Sequence, residues 1–427
     1  MFEFPTNSDD YSRRNFMSSV ARSLLGVSFL PILGNSAFAA SQSSGKKAKQ
    51  VIYLYMSGAM SQLDTFDPKP GTETGGETKA ISTNVPGIKI SQHMPELAKM
   101  ADKMAIVRSL STETGAHEEG RYIMRTSYRE IASTRHPSMG PWIQKMQGKG
   151  NPVLPGSVVI GGGSGHPGAG YLGAQYTPVP VGRARDGLQN SKPPEYLSEA
   201  QFDHRMALAT RFDRSFEKKF ATTEVAGYTK LYADAIRLMR SDDLSVFDIS
   251  KEPKQIRDAY GKSTFSQGCL LARRLVQNGV KFVEVNLGGW DDHRMIYNSL
   301  PDRVATLDQA VSTLLRDLQS QGMLEDTLVV IATEFGRTPR INQNAGRDHF
   351  PTAFSCMLAG GGVKGGTVYG STDKLGTSVE ADHASVGEFN ATIGHIMGLK
   401  HDHEIFSPGG RPFTVGDGAA PIEALLA

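Results

Sequence analysis

Apolar and β-branched residues gather in short runs spaced along the chain. The runs at 51–56 (VIYLYM), 104–110 (MAIVRSL), 281–287 (KFVEVNL), 327–332 (TLVVIA) and 353–358 (AFSCML) read as strands buried on both faces of a sheet. A shorter run at 157–160 precedes the glycine-rich GGGSGHPGAG and reads as a further strand. Between the runs the period lengthens to that of a helix. Residues 118–125 are helical, and 198–239 carry a helical pattern with charged faces and no evident site. Residues 264–277 (TFSQGCLLARRLVQ) form an amphipathic helix that stops at Asn278-Gly279. Residues 302–321 place Val304, Leu307, Val311, Leu314, Leu315 and Leu318 on one stripe, and Gly322 ends it. A last helix opens at Ser385, with Glu388 three positions on as a capping box. Strands that alternate with helices predict an α/β fold, a doubly wound and mostly parallel sheet with helices on both faces.

Charge then accumulates where such sheets hold ligands, past the carboxyl ends of the strands. SGAMSQLDTFDPKP follows the first strand, STETGAHEEGR the second, GGWDDH the run at 281–287, and TEFGRTPR with GRDHF the run at 327–332. Asp291 and His293 set a carboxylate and an imidazole two positions apart, which suits two ligands of one metal ion, and Asp348-His349 repeats the pairing. A mixed oxygen and nitrogen set suits a divalent ion such as zinc better than magnesium or calcium. Arg337 and Arg347 offer guanidinium forks for a phosphate or sulfate group, or else pair with Glu334 and Asp348 to hold their loop. His117 stands where a helix begins, with the hydroxyls of Ser111, Thr112 and Thr114 just before it as nucleophile candidates or caps. The glycine stretches lack the Gly-Lys-Ser/Thr that closes a phosphate loop and read as turns.

Length and composition bound the rest. The 427 residues suffice for one large domain over 51–427, and a formal charge of +2 gives no surface for nucleic acid. Ser12-Arg13-Arg14-Asn15-Phe16-Met17, a short apolar segment and Ala37-Phe38-Ala39 predict a twin-arginine export signal over 1–39 and a linker over 40–50. The expected location is periplasmic or otherwise exported, with the export machinery as a partner and no stable membrane span after cleavage. Cys269 and Cys356 sit in apolar surroundings and are expected to be free thiols.

The strings YMSGAMSQLDTFDPKP, HEEGRYIMRTSYR, GCLLARRLVQNGVKFVEV, GGWDDH, TLVVIATEFGRTPRIN and GRDHFPTAFSCMLAGGGVKGGTVYGSTD resemble the domain-of-unknown-function 1501 family of exported bacterial proteins. That resemblance spans nearly the whole chain after the signal. It implies an alkaline-phosphatase-like and sulfatase-like fold and a metal-dependent hydrolase of phosphate or sulfate esters, with an anionic small-molecule or glycan ester as substrate. Clustering at the strand ends together with that resemblance puts Asp291, His293, Glu334 and His349 around the metal, and the same clustering makes His117, Arg337, Arg347 and Asp348 the catalytic candidates, with Arg337 and Arg347 on the anion. Ser57 stands where the superfamily carries a metal-binding Asp, with Asp64 as the nearest replacement, and Gln62 replaces a family histidine. These departures bring in the alternative of a non-catalytic envelope or glycan-binding protein on the same fold.

Overall fold

Residue alternation along the first strand divides the core in two. In the computed structural model, which describes residues 47–162, 165–192, 196–220 and 222–427, β1 spans Gln50–Met56. Ile52, Leu54 and Met56 enter one apolar cluster, and Val51, Tyr53 and Tyr55 enter the other, as the two-residue period of a strand requires. The predicted export signal and most of the predicted linker lie outside the described residues.

The sheet continues through β2 (Met104–Ser111), β3 (Ser157–Ile160), β4 (Val179–Val181), β5 (Phe282–Leu287), β6 (Thr327–Ala332), β7 (Phe354–Gly360), β8 (Thr367–Tyr369) and β9 (Ala384–Ser385). Their order across the sheet is β8-β2-β7-β6-β1-β5-β3-β4, and β9 lies beside β2. β7 runs antiparallel to both β2 and β6; the remaining pairs are parallel. This is the mixed α/β class expected, with one strand reversed.

Helices cover both faces. α1 (His117–Thr126) and α2 (Met139–Gln147) lie on the face of Tyr53 and Tyr55. α3 (Glu199–Lys219) and α4 (Thr223–Met239) form a separate pair of long helices. α5 (Thr264–Gln277) and α6 (Leu300–Ser320) pack on the face of Ile52 and Leu54, burying the stripe of Val304, Leu307, Val311, Leu314, Leu315 and Leu318. α7 (Val386–Ile396) returns to the first face and opens with the Ser385–Glu388 capping box. Cys269 and Cys356 are free and buried in opposite clusters, one on each side of the sheet. Among the described residues no helix is long and apolar enough to cross a membrane.

Candidate metal centre

The loops that leave β1, β2, β5 and β6 meet at the carboxyl edge of the sheet, and two glycines let them come this close. Gly58, at φ +114°, passes so near the Trp290-Asp291 turn that a Cβ would lie 2.8 Å from the Asp291 amide nitrogen. At Gly346 a Cβ would lie 2.1 Å from the His293 carbonyl carbon. Backbone bonds lace these segments: Arg347 N–H donates to Asp292 O at 3.0 Å, and Met295 N–H to Asn344 O at 2.9 Å. Thr333 ties β6 to the loop after β1, its hydroxyl donating to Met56 O and accepting from Met60 N–H.

Around this junction three imidazoles aim at one carboxylate oxygen. Asp291 Oδ1 lies 3.2 Å from His117 Nε2, 3.0 Å from His293 Nε2 and 3.2 Å from His349 Nε2. His293 Nε2 and His349 Nε2 are themselves 3.0 Å apart. Ligand atoms of His117, Asp291 and His349 all fall within 4.8 Å of one another. Donors held at about 2.1 Å around a tetrahedral ion stand roughly 3.4 Å apart. The cluster is close to that spacing.

Each ring is oriented through its other nitrogen. His349 Nδ1 lies 2.6 Å from Gly115 O, which only accepts, so Nδ1 carries the proton and Nε2 of the neutral ring is a lone pair. Burial lowers the His349 pKa and so favours that neutral ring. His117 Nδ1 lies 2.9 Å from Glu334 Oε1, and His293 Nδ1 lies 2.7 Å from Asp348 Oδ1. These are the carboxylate-to-imidazole supports that orient metal-binding histidines. His117 Nε2 is buried and makes no hydrogen bond, although Asp291 Oδ1 is within ion-pair distance. The hydrogen bond to Glu334, with Asp291 adding to it, raises the His117 pKa against the effect of burial, so a proton on that ring answers Asp291 there; the His349 lone pair repels the Asp291 oxygen unless a cation lies between them. The donor set of His117, Asp291 and His349 therefore fits a divalent ion of the nitrogen-accepting kind, with His293 beside it against Asp291 and His349.

The supporting acids have settled charges. Burial opposes the charge of Glu334, but hydrogen bonds from His117, its own backbone and Gly58 N–H outweigh it and lower its pKa. Tyr55 donates to the second oxygen at 3.0 Å. Burial likewise opposes the charge on Asp291, yet Arg337, His349 and His117 hold that carboxyl far below the usual range. Asp348 is lowered first by its bond to His293.

The sequence candidates thus separate. His117, Asp291, His293 and His349 stand together; Glu334 and Asp348 stand one bond behind, and Glu334 touches His117 where it was expected at the ion itself. Arg337 is fully buried and donates to Asp291 Oδ1 at 2.5 Å and to the backbone of Gly58, Ala59 and Arg347. It neutralises Asp291 from behind. Arg347 is also fully buried, but it is spent on Asp64 at 2.8 Å and on the carbonyls of Thr74, Thr338 and Pro339. Asp64 is held in turn by Ser61, Thr78 and Tyr297, so neither member of that pair reaches the centre. Gln62 makes a two-way bond with the Arg337 backbone, at 2.9 Å each way. Its role here is to hold a loop.

The hydroxyl candidates are engaged elsewhere or enclosed. Ser111 Oγ lies 2.6 Å from His383 Nε2, Thr114 Oγ1 accepts from Ala116 N–H at 3.1 Å, and Thr112 Oγ1 is buried without a partner. Sequence reasoning missed Tyr55 and the Gly115 carbonyl. Tyr55 lay inside an apolar run, and a backbone carbonyl leaves no mark in residue type.

Comparison with known proteins adds a family. A family described as "Protein of unknown function (DUF1501)" matches residues 48–426, and the chain belongs to it. No curated protein matches the sequence. Among solved structures, a protein in the alkaline phosphatase superfamily from Vibrio parahaemolyticus is similar at 10% identity, with a TM-score of 0.40 over 98% of this chain and 80% of that one. The lipoteichoic acid synthase LtaP from Listeria monocytogenes is similar at 9% identity, with a TM-score of 0.41 over 90% and 77%. The PsFucS1 sulfatase from Pseudoalteromonas sp. is similar at 13% identity, with a TM-score of 0.37 over 84% and 69%.

Proposed function

We propose that this DUF1501 chain is an exported, metal-dependent hydrolase of phosphate or sulfate esters, working through one divalent ion, with zinc the first candidate. The observation that carries the reading is the contact of His349 Nε2 with Asp291 Oδ1 at 3.2 Å while the Gly115 carbonyl keeps the proton on Nδ1. Two acceptors in that position call for a cation. A divalent ion there supplies positive charge for the oxygens of an anionic ester and acidifies water.

The chain's own groups prepare the site. Glu334, Asp348 and Gly115 O fix the tautomer and direction of His117, His293 and His349. Arg337 offsets the Asp291 charge, so a donor set with one carboxylate leaves net positive charge for an anionic ligand. Asp291 and His293 remain partly open to solvent, which gives a substrate access. The export signal over 1–39, the linker over 40–50 and a single catalytic domain over 51–427 belong to the same proposal, as does an anionic small-molecule or glycan ester as substrate.

One observation favours the competing reading of a non-catalytic envelope or glycan-binding protein. Ser111 bonds His383, Thr114 accepts from Ala116 N–H and Thr112 is enclosed without a partner, so none of these three hydroxyls makes a hydrogen bond to the centre. Metal analysis of the folded, exported protein and assays with aryl phosphate and aryl sulfate esters decide between them. The hydrolase reading expects one divalent ion per chain and turnover abolished by His349→Ala and Asp291→Ala. A bound ion with no turnover selects the binding reading, and a chain without a stoichiometric ion ends the metal-centre reading.

A further inference from the structure

The pair α3 and α4 raises a separate question of stability. α3 is 21 residues long, yet its residues whose burial is described are all exposed or only half buried. A helix in a protein draws most of its stability from packing an amphipathic face against something rather than from propensity. The apolar face exists. Leu208, Phe212, Phe216 and Phe220 recur every four residues along α3 and its end, and Tyr228 and Tyr232 of α4 flank the groove beside them. These six side chains are between 41% and 71% exposed.

We infer that this face is a docking surface for a second copy of the same chain, α3 against α3 of the other copy, giving a dimer through the helical pair. Three arguments select that occupant. At about 200 Å² for each aromatic side chain, the five rings leave on the order of 550 Å² in water. That is at the upper end of what a monomer exposes and most of what one partner contributes to a stable interface, roughly 800 Å².

Charge is the second argument. α3 carries five basic residues, Arg205, Arg211, Arg214, Lys218 and Lys219, against four acidic ones, Glu199, Asp203, Asp213 and Glu217. Two copies of so balanced a helix do not repel, whereas a helix that lies on an anionic membrane carries a strongly basic polar face. Geometry is the third. A row at every fourth position is the ridge that interdigitates with its like in the commonest class of helix packing, so the surface is complementary to itself under a two-fold axis.

Sedimentation velocity of the full chain over a micromolar concentration series tests this. A dimer is expected, converted to monomer by Phe212→Glu with Phe216→Glu at unchanged melting temperature and unchanged metal content. Phe212→Cys provides a second, folding-independent measurement: because Cys269 and Cys356 are both buried, oxidation is expected to link two chains through the new thiol alone. A wild-type chain that stays monomeric throughout overturns the inference, and so does a dimer that survives the double substitution. A monomer that instead pellets with phosphatidylglycerol vesicles, and loses that binding in the double variant, assigns the face to a membrane and also overturns it.

Discussion

His117 Nδ1 and Glu334 Oε1 lie 2.9 Å apart although 217 positions separate them along the chain. Glu334 is fully buried at the end of β6, and its other oxygen accepts from Tyr55 of β1, so the sheet itself aims the imidazole. Removing such a support costs metal-binding proteins typically 10- to 100-fold in affinity. Glu334→Gln is expected to weaken zinc binding by about that factor, and Tyr55→Phe by less, on the order of threefold, because Gly58 N–H continues to hold the carboxylate. Calorimetric titration of the metal-free variants measures both. An unchanged affinity in Glu334→Gln would show that the Glu334 charge does not support the centre.

Asp64 and Arg347 are a structural pair. Both side chains are fully buried and linked at 2.8 Å. Removing one partner of a buried pair leaves the other charge without compensation and costs about 3–5 kcal/mol. Asp64→Asn is expected to lower the urea midpoint by that cost divided by the m-value, at constant m, while the folded fraction binds metal with wild-type affinity. A variant of normal stability that loses metal would move Asp64 to the centre.

A second buried acid sets the response to low pH. Glu284 of β5 is enclosed, which opposes its charge, but Arg125, donating to it at 2.8 Å, and His166 outweigh burial and hold its pKa far below the carboxylate range. The folded value is therefore lower than the unfolded one of about 4.3. The Glu284 charge stabilises the fold above that pH, and the contribution is lost as pH falls toward the folded value. Melting temperature is expected to drop progressively below about pH 4.3. Glu284→Gln should be less stable at neutral pH and show a flatter acid limb; an acid limb of undiminished slope would place the responsible group elsewhere.

How much of this was legible in residue order differs from one feature to the next. TLVVIA became β6 at the predicted boundaries, and all six of its residues are buried. A continuous apolar run has few other environments available to it. AFSCML was legible as a strand, but nothing in it revealed that β7 runs antiparallel, because an apolar run reads the same in both directions. The helical pattern at 198–239 showed its charged faces and concealed the row at Leu208, Phe212, Phe216 and Phe220. Those rings are spaced among charges, and only their exposure in the fold separates them from a core stripe.

Local sequence, then, determined the strands, the helices, the caps and the inventory of groups at the sheet's carboxyl edge. Those properties depend on neighbours a few positions away, within reach of periodicity and turn chemistry. The division of labour among the groups was decided only by tertiary structure. Asp291 receives three imidazoles, Glu334 and Asp348 stand behind two of them, and Arg347 is taken by Asp64. Residue type supplies a donor or an acceptor, but whether it meets a cation, another ring or a buried counter-charge depends on distances of a few ångströms between segments up to 283 positions apart.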